Sequence, residues 1–476
     1  MINQRQTLSR VLGRTDVIAL ALGTMIGWGW IMLAAVWVNK AGMVGAIGAF
    51  VLGAALCVLV GLTYAELTAA LPLAGGEMVY AYRALGYHFS WFASWTVALA
   101  YVGVAAWEGI AIATAVDYIF PLSNSLVLWS VAGNPVSFTW AIVGACCAIL
   151  LSLLNYFGAR PAAIFQVMAT LAVALVGFMF FFGGVTYGDL QNIGPLVTDK
   201  VGFIAVLMMV PSMLIGFDII PQSAEEMNLP RREVGKVLVA SIIMGAGWYI
   251  LMIVGIALSA PEEIRNAAMV PVADAMSYAF GSNGFGKIFI FGGIFAILTS
   301  WNGFMLGATR IIFAMGRAKM LPAIFGKLNE KYRTPTAAIW LVGLVCAVGP
   351  LLGKNALIWL VNVSAFTGVL AYLTVAVSFV LLRKKEPDLV RPYQIKGGKY
   401  LGILAIIFTA SFAVMFVVTS PVSLQWPYEW ILIISWYVLG FIFMAKAKKR
   451  YSDVTDEERE ILVFGYTYAR VKKYEK

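Results

Sequence analysis

Histidine is almost absent from this 476-residue chain: His88 is the only one. Charge is scarce too, with Asp, Glu, Lys and Arg making up 12% of the residues. The four cysteines, Cys57, Cys146, Cys147 and Cys346, lie in apolar runs without metal-binding spacing. They read as small packing residues. Polar linkers of the kind that divide a long soluble chain into domains are missing, as are a phosphate loop and a nucleotide fingerprint. These gaps exclude whole classes. One histidine, at the entry of the third apolar run, cannot complete a Ser–His–Asp set, so no enzyme is expected. Neither is a cofactor or a metal, and no domain is left to hold nucleic acid. The first apolar run continues without a small-residue cleavage site and does not read as a cleavable signal.

What the chain has instead is apolar length. Hydrophobic residues make up 61% of it. Runs of roughly 20 apolar residues are the length of a membrane-crossing helix. Twelve such spans are expected, at 16–39, 42–71, 88–119, 138–155, 161–184, 202–226, 234–259, 284–315, 335–352, 357–382, 399–420 and 428–447. Charge tests the count, because Lys and Arg collect on the cytoplasmic side. With the N-terminus inside, the outer segments hold only Lys40, Lys200, Arg265, Lys287 and Lys354; the other 29 of the 34 Lys and Arg fall inside. Both termini are then cytoplasmic. The net charge of +10 reads as topology and attraction to anionic lipid.

Two spans carry helix-breaking residues. The first contains "GTMIGWGW", Gly23 to Trp30, with three glycines at its middle. Glycine in a membrane helix often serves close packing, and that reading alone is open for this stretch. The sixth span reads "PSMLIGFDIIPQSAEEM", Pro211 to Met227, with Gly216 between Pro211 and Pro221. Proline removes a backbone donor and clashes with the preceding turn, so this helix should be interrupted. "MIGW" (Met25 to Trp28) returns as "LIGF" (Leu214 to Phe217) five spans later. Five is odd, so the second half is inverted in the membrane. Paired interruptions at matching places point to a transporter's binding site. Peptide groups freed from a helix cannot face hydrocarbon. Half-helix N-termini suit a carboxylate, and half-helix C-termini suit an ammonium group. An α-amino acid has both.

At these motifs the chain resembles the amino acid–polyamine–organocation (APC) family of permeases. The similarity covers nearly the whole sequence. It rests on "GTMIGWG", on "YAELTAALPLAGGEMVYAYRALG" (Tyr64 to Gly86), "NYFGARPAA" (Asn155 to Ala163), "GFDIIPQSAEEMNLPRR" (Gly216 to Arg232), "RIIFAMGRAKMLPAIF" (Arg310 to Phe325) and "EPDLVRPY" (Glu386 to Tyr393), in that order. The resemblance implies an all-α membrane protein with the five-plus-five inverted-repeat fold of LeuT. Helices 1 and 6 are broken and two further helices follow. The parts are 1–200 for the first repeat, 201–398 for the second, 399–447 for the last two helices and 448–476 for the tail. It also implies site residues. The first break, Met25, Ile26, Gly27, Trp28 and Gly29, receives the α-carboxylate on the amides of Trp28 and Gly29. The carbonyls of Met25, Ser212 and Ile215, next to Gly216, receive the α-ammonium. Phe304 stands where relatives have an aromatic lid. A departure is Trp28, where relatives commonly have Ser; the indole either leaves the site or narrows it.

Ionisable residues deep in a span are costly and mark function by default. Glu108, near the middle of span three, has three open roles: binding a cationic substrate head, carrying a coupling proton, or bonding to backbone at a break. Asp218, just past Gly216, is either a proton sensor or a helix cap. Arg160 aligns with a lysine that, in similar permeases, fills the place of a sodium ion, with Thr299 and Ser300 as neighbours. That alignment implies no sodium requirement; the alternative is an arginine that snorkels to lipid. Glu225 and Glu226 either pair with basic residues as a cytoplasmic gate or form a solvated helix end. His88 reads as interfacial. The tail reads as an amphipathic segment on the membrane surface or as disordered chain.

The expectation is a secondary permease for L-α-amino acids in the plasma or inner membrane. Glu108 tilts it to cationic or small polar side chains, independent of sodium and either proton-coupled or exchanging. A polyamine or organic-amine exchanger and a non-transporting amino acid sensor are the alternatives. The partners expected are the small-molecule substrate and the lipid bilayer; the sequence identifies no partner subunit.

Overall fold

The computed structural model describes residues 6–122, 126–418, 420 and 423–470. Of the basic residues counted above, Arg5, Lys472, Lys473 and Lys476 lie outside them. The chain is helical. Its first half contains α1 (Arg14–Met25), α2 (Gly29–Ala41), α3 (Met43–Ala70), α4 (Glu77–Leu85) and α5 (Tyr87–Ile119). A short antiparallel hairpin of β1 (Val127–Val131) and β2 (Asn134–Ser137) follows, then α6 (Phe138–Tyr156) and α7 (Ala159–Tyr187). The second half holds α8 (Lys200–Met213), α9 (Ile219–Gln222), α10 (Arg231–Ser259), α11 (Glu262–Ala267), α12 (Pro271–Ala279), α13 (Asn283–Arg317), α14 (Thr336–Val348) and α15 (Ala356–Lys385). Last come α16 (Gly398–Val417), α17 (Tyr428–Arg450) and α18 (Asp456–Tyr468).

Among the described residues nine helices are long and apolar enough to cross a membrane, or ten with α1 and α2 taken as one bent pair. Two shorter apolar helices, Lys200–Met213 and Thr336–Leu352, fall at the expected sixth and ninth spans. Leu171, Leu175, Phe178 and Phe182 on α7, and Ile407 and Val414 on α16, are exposed. Large apolar side chains left uncovered in such number mark a surface that meets lipid. Cys146, read as a packing residue, is also exposed, whereas Cys57 and Cys346 are buried. A packed interior lies between α1, α5, α10, α13 and α15, where α5 buries most of its length.

The two ends of the bundle differ. At one, Lys354 pairs with Asp117 at 3.4 Å, and the indole of Trp129 on the hairpin donates to Leu351 O at 3.0 Å. The other end is basic and closed by ion pairs. Glu226 meets Arg310 at 2.8 Å and Glu225 meets Arg317 at 2.9 Å. All four residues are buried, so the reading of a solvated helix end is corrected. The chain's start lies over these pairs. Val11 and Leu12 donate their amides to Glu226 O, and Leu8 N donates to Glu225 Oε1.

Within its described part the tail is ordered helix packed on the protein and not loose chain. Thr455 and Glu458 form a capping box that starts α18. Ile461, Val463 and Phe464 are buried against the protein. Arg83 on α4 reaches Glu386, Glu460 and the carbonyl of Tyr468, which ties the tail to the loops of the basic end.

Candidate functional site between two interrupted helices

α1 stops at Met25 and α2 starts at Gly29, with a bend of 53° between them. Glycine is the weakest helix former after proline, and Gly23, Gly27 and Gly29 crowd this stretch. Gly27 also has no room for a side chain: a Cβ there would lie 2.9 Å from Ser300 Oγ. In the sixth span α8 stops at Met213, with Pro211 in its last turn, and α9 begins at Ile219. Gly216 between them has φ +128°, a backbone region that side chains rarely tolerate. The two interruptions touch. A Cβ on Gly216 would lie 3.0 Å from the backbone nitrogen of Met25.

The peptide groups released there are uneven in their partners. Ile26 N bonds to Leu22 O, and the carbonyl of Met25 accepts the Tyr249 hydroxyl at 2.7 Å. Among the described residues the amides of Gly27, Trp28 and Gly29 find no acceptor, and the carbonyls of Ser212 and Ile215 find no donor. These groups surround one end of a cavity of about 460 Å³, which runs on to Lys354. That is the size of a small-molecule site.

Of the expected site residues, Met25, Gly27, Trp28, Gly29, Ser212, Ile215, Ser300 and Phe304 line this cavity. Ile26 and Gly216 do not; they form the backbone behind it. Trp28 is 2% exposed and lies on α13, where a Cβ at Gly293 would come within 2.4 Å of its ring. The indole is therefore part of the wall and does not face lipid.

Glu108 is fully buried but is not on the wall. Its carboxyl sits behind Gly27 and Ser300. Neither oxygen meets a donor in hydrogen-bond geometry, and the Ser300 side chain is its polar neighbour. Asp218 is also set back. It accepts Tyr101 Oη–H at 2.7 Å and the Gly216 amide at 2.8 Å, so it holds the preceding turn and makes no side-chain cap on α9. Tyr101 packs its ring 5.9 Å from Phe304. Next comes Glu77, which accepts from Tyr64 Oη–H at 3.0 Å and from the Gln222 amide. Phe304, Tyr101, Asp218 and Glu77 thus form a layer between the cavity and the ion pairs of the basic end.

Arg160 is not brought to Thr299 and Ser300. Its side chain is 57% exposed and pairs with Asp16 at 2.9 Å. Gln166, nearly two turns further along α7, reaches Thr299 instead. Its Nε2 donates to Thr299 O at 3.1 Å and faces Ala19 O at 3.4 Å. Asn302 donates to Gln166 Oε1 at 2.7 Å. The alignment on "FGAR" missed this because it matched charge, and the residue that bridges α1 and α13 is neutral. Tyr249 and Trp107 were missed as well. Each is one aromatic among many in an apolar run, and nothing local marks it.

The chain resembles known proteins over most of its length. A family model described as amino acid permease matches residues 12–443. The branched-chain amino acid permease BcaP of Bacillus subtilis is 26% identical over 412 residues, which is 85% of this chain and 87% of the relative. The methylthioribose transporter of the same organism is 22% identical over 462 residues, 94% of this chain and 96% of the relative. Its aspartate-proton symporter is 27% identical over 416 residues, 83% of this chain and 77% of the relative. These relatives are transporters and not enzymes.

Proposed function

The chain belongs to the amino acid permease family, and from that premise we propose that it is a secondary active transporter of L-α-amino acids working by alternating access. The observation that carries this is the cavity end where unpaired amides of Gly27, Trp28 and Gly29 face unpaired carbonyls of Ser212 and Ile215. A zwitterion satisfies both rows at once. Its carboxylate takes the amides at the start of α2. Its ammonium takes the carbonyls of Ser212 and Ile215, and that of Met25 beside Tyr249. The cavity reaches Lys354 at one end, and buried ion pairs close the other. Such a shape is one half of an alternating cycle.

On this reading twelve spans cross the plasma or inner membrane with both termini cytoplasmic, and the basic end faces the cytosol. Residues 1–200 and 201–398 are the inverted repeats, 399–447 the peripheral pair and 448–476 the tail. α1 with α2, and α8 with α9, are single broken spans. Transport is sodium-independent. Arg160 no longer supports that, but Gln166 does: carbonyls of Ala19 and Thr299 that accept an N–H have less to offer a cation. Glu108 carries the coupling proton, since a buried charge with no counter-ion is costly and opening of the cavity relieves that cost. Glu108 was also the ground for expecting a cationic or small polar side chain. Its place behind Gly27 and Ser300 removes that support.

The test is counterflow in proteoliposomes, with amino acids, their decarboxylated amines and their deaminated acids as competitors. A charged group that loses its hydrogen bonds costs about 1.5–3 kcal/mol, so each truncated analogue should compete at least about tenfold less well. Strong competition by amines alone would favour an organic-amine exchanger. Binding without counterflow would indicate a sensor. Replacement of sodium by choline should leave uptake unchanged.

A further inference from the structure

We infer that the cavity is built for an apolar side chain, so that the substrate is an aliphatic or aromatic L-amino acid and not a cationic, acidic or small polar one. The inference rests on the zwitterion reading above and adds what the peptide groups cannot decide. Beyond the two interruptions the wall is formed by Met32, Leu33, Val104, Trp107, Leu357 and Val361, with Phe304 at the inner end. Four of the six hydroxyls on the wall are spent, that of Tyr249 on Met25 O; Ser300 lies against Glu108, and Ser364 Oγ finds no partner among the described residues. Thr24 Oγ1 donates to Leu20 O, Ser212 Oγ to Met209 O and Thr114 Oγ1 to Ile110 O, each within its own helix. Among the described residues no carboxylate lines the cavity, and the one charged residue that does, Lys354, lies at the mouth and already pairs with Asp117. A cationic head on this apolar wall meets no counter-charge, since Glu108 stands behind Gly27 and Ser300 and not on the wall, and an acidic one meets only a lysine already paired at the mouth. Either would give up water for apolar surface, at several kcal/mol per ion. A methylene in the same place gains about 0.8 kcal/mol.

The experiment is competition against a radiolabelled aliphatic amino acid on the purified full-length protein. The competitors are glycine, alanine, 2-aminobutyrate, norvaline and norleucine, then lysine and glutamate. Lysine is norleucine with an ammonium group at the end, so the pair isolates charge at nearly constant shape. Affinity should rise about fourfold per methylene along the series, the conversion of 0.8 kcal/mol. Lysine and glutamate should bind at least about a hundredfold more weakly than norleucine. A flat series, or lysine equal to norleucine, overturns the inference while leaving the zwitterion site intact. If no α-amino acid binds at all, the zwitterion reading falls and takes the inference with it. Val104→Asp adds a counter-charge to the wall and should reverse the order of norleucine and lysine. An unchanged order in a folded Val104→Asp protein overturns the assignment of this wall to the side chain. The series on the unaltered protein keeps the test decisive if that variant does not fold.

Discussion

Glu108 and Gly293 lie behind the cavity wall, against residues that line it. Glu108 is a carboxyl with no cation beside it and no well-placed donor. Glu108→Gln keeps its shape and removes the proton it can exchange. Uptake driven by an imposed pH gradient should lose its pH dependence, while the preference among neutral substrates stays. Gradient-driven accumulation that survives in Glu108→Gln would remove this residue from coupling. Gly293 gives Trp28 its place, since a Cβ there would come 2.4 Å from the indole. Gly293→Ala must push the ring towards the cavity or move α13. Overpacking of this kind costs about 1–3 kcal/mol. A lowered melting temperature together with weaker binding of large substrates is expected; unchanged binding would mean that the ring has somewhere else to go.

At the scale of elements, the interrupted spans and the tail helix behave differently. The interruptions are held from outside. Tyr249 on α10 bonds Met25 O, and Tyr101 on α5 bonds Asp218, so neighbouring helices hold the chain between α1 and α2 and between α8 and α9. α18 is held by a small apolar face, with Val463 and Phe464 at 0% and 1% exposure, and by the Arg83–Glu386–Arg470–Glu460 charge network. Full burial of one such side chain is worth about 1.5–3 kcal/mol. Phe464→Ala should therefore release the tail while the bundle stays folded. Limited proteolysis would read this as faster cleavage after Tyr451 with no change in the melting of the core. Equal cleavage rates in both proteins would show that the charge network alone holds α18.

For the whole molecule, the decisive feature is that the basic end is sealed twice, by buried ion pairs and by the strand of chain before α1. Removing one partner of a buried pair leaves an uncompensated charge and costs about 3–5 kcal/mol. Arg310→Ala should destabilise the closed state by that order, and Glu226→Gln added to it should recover part of the loss. In transport terms Arg310→Ala should shift the protein toward opening at this end. Labelling of a cysteine introduced at Ser223, a buried residue beneath the pairs, would read this as faster modification. If Arg310→Ala and the double variant label at the same slow rate as the parent, the pairs do not act as a gate.

The helices were legible from the sequence because length and apolarity act locally. The bounds at 42–71, 88–119 and 284–315 lie within two residues of α3, α5 and α13. The helix ends at Met25 and Met213 fall where glycine and proline crowd the sequence, since these residues act on their own backbone whatever surrounds them. The facing of side chains was not legible. Whether Glu108 lines the cavity or stands behind it depends on how α5 is rotated against Gly27 and Ser300, which are far away in the chain. Whether Arg160 or Gln166 reaches Thr299 depends on how far α7 extends past α13. Sequence by itself determined an apolar helical chain with helix-breaking residues at two places. Tertiary packing decided which groups meet there, because each helix is free to turn about its own axis until its neighbours hold it.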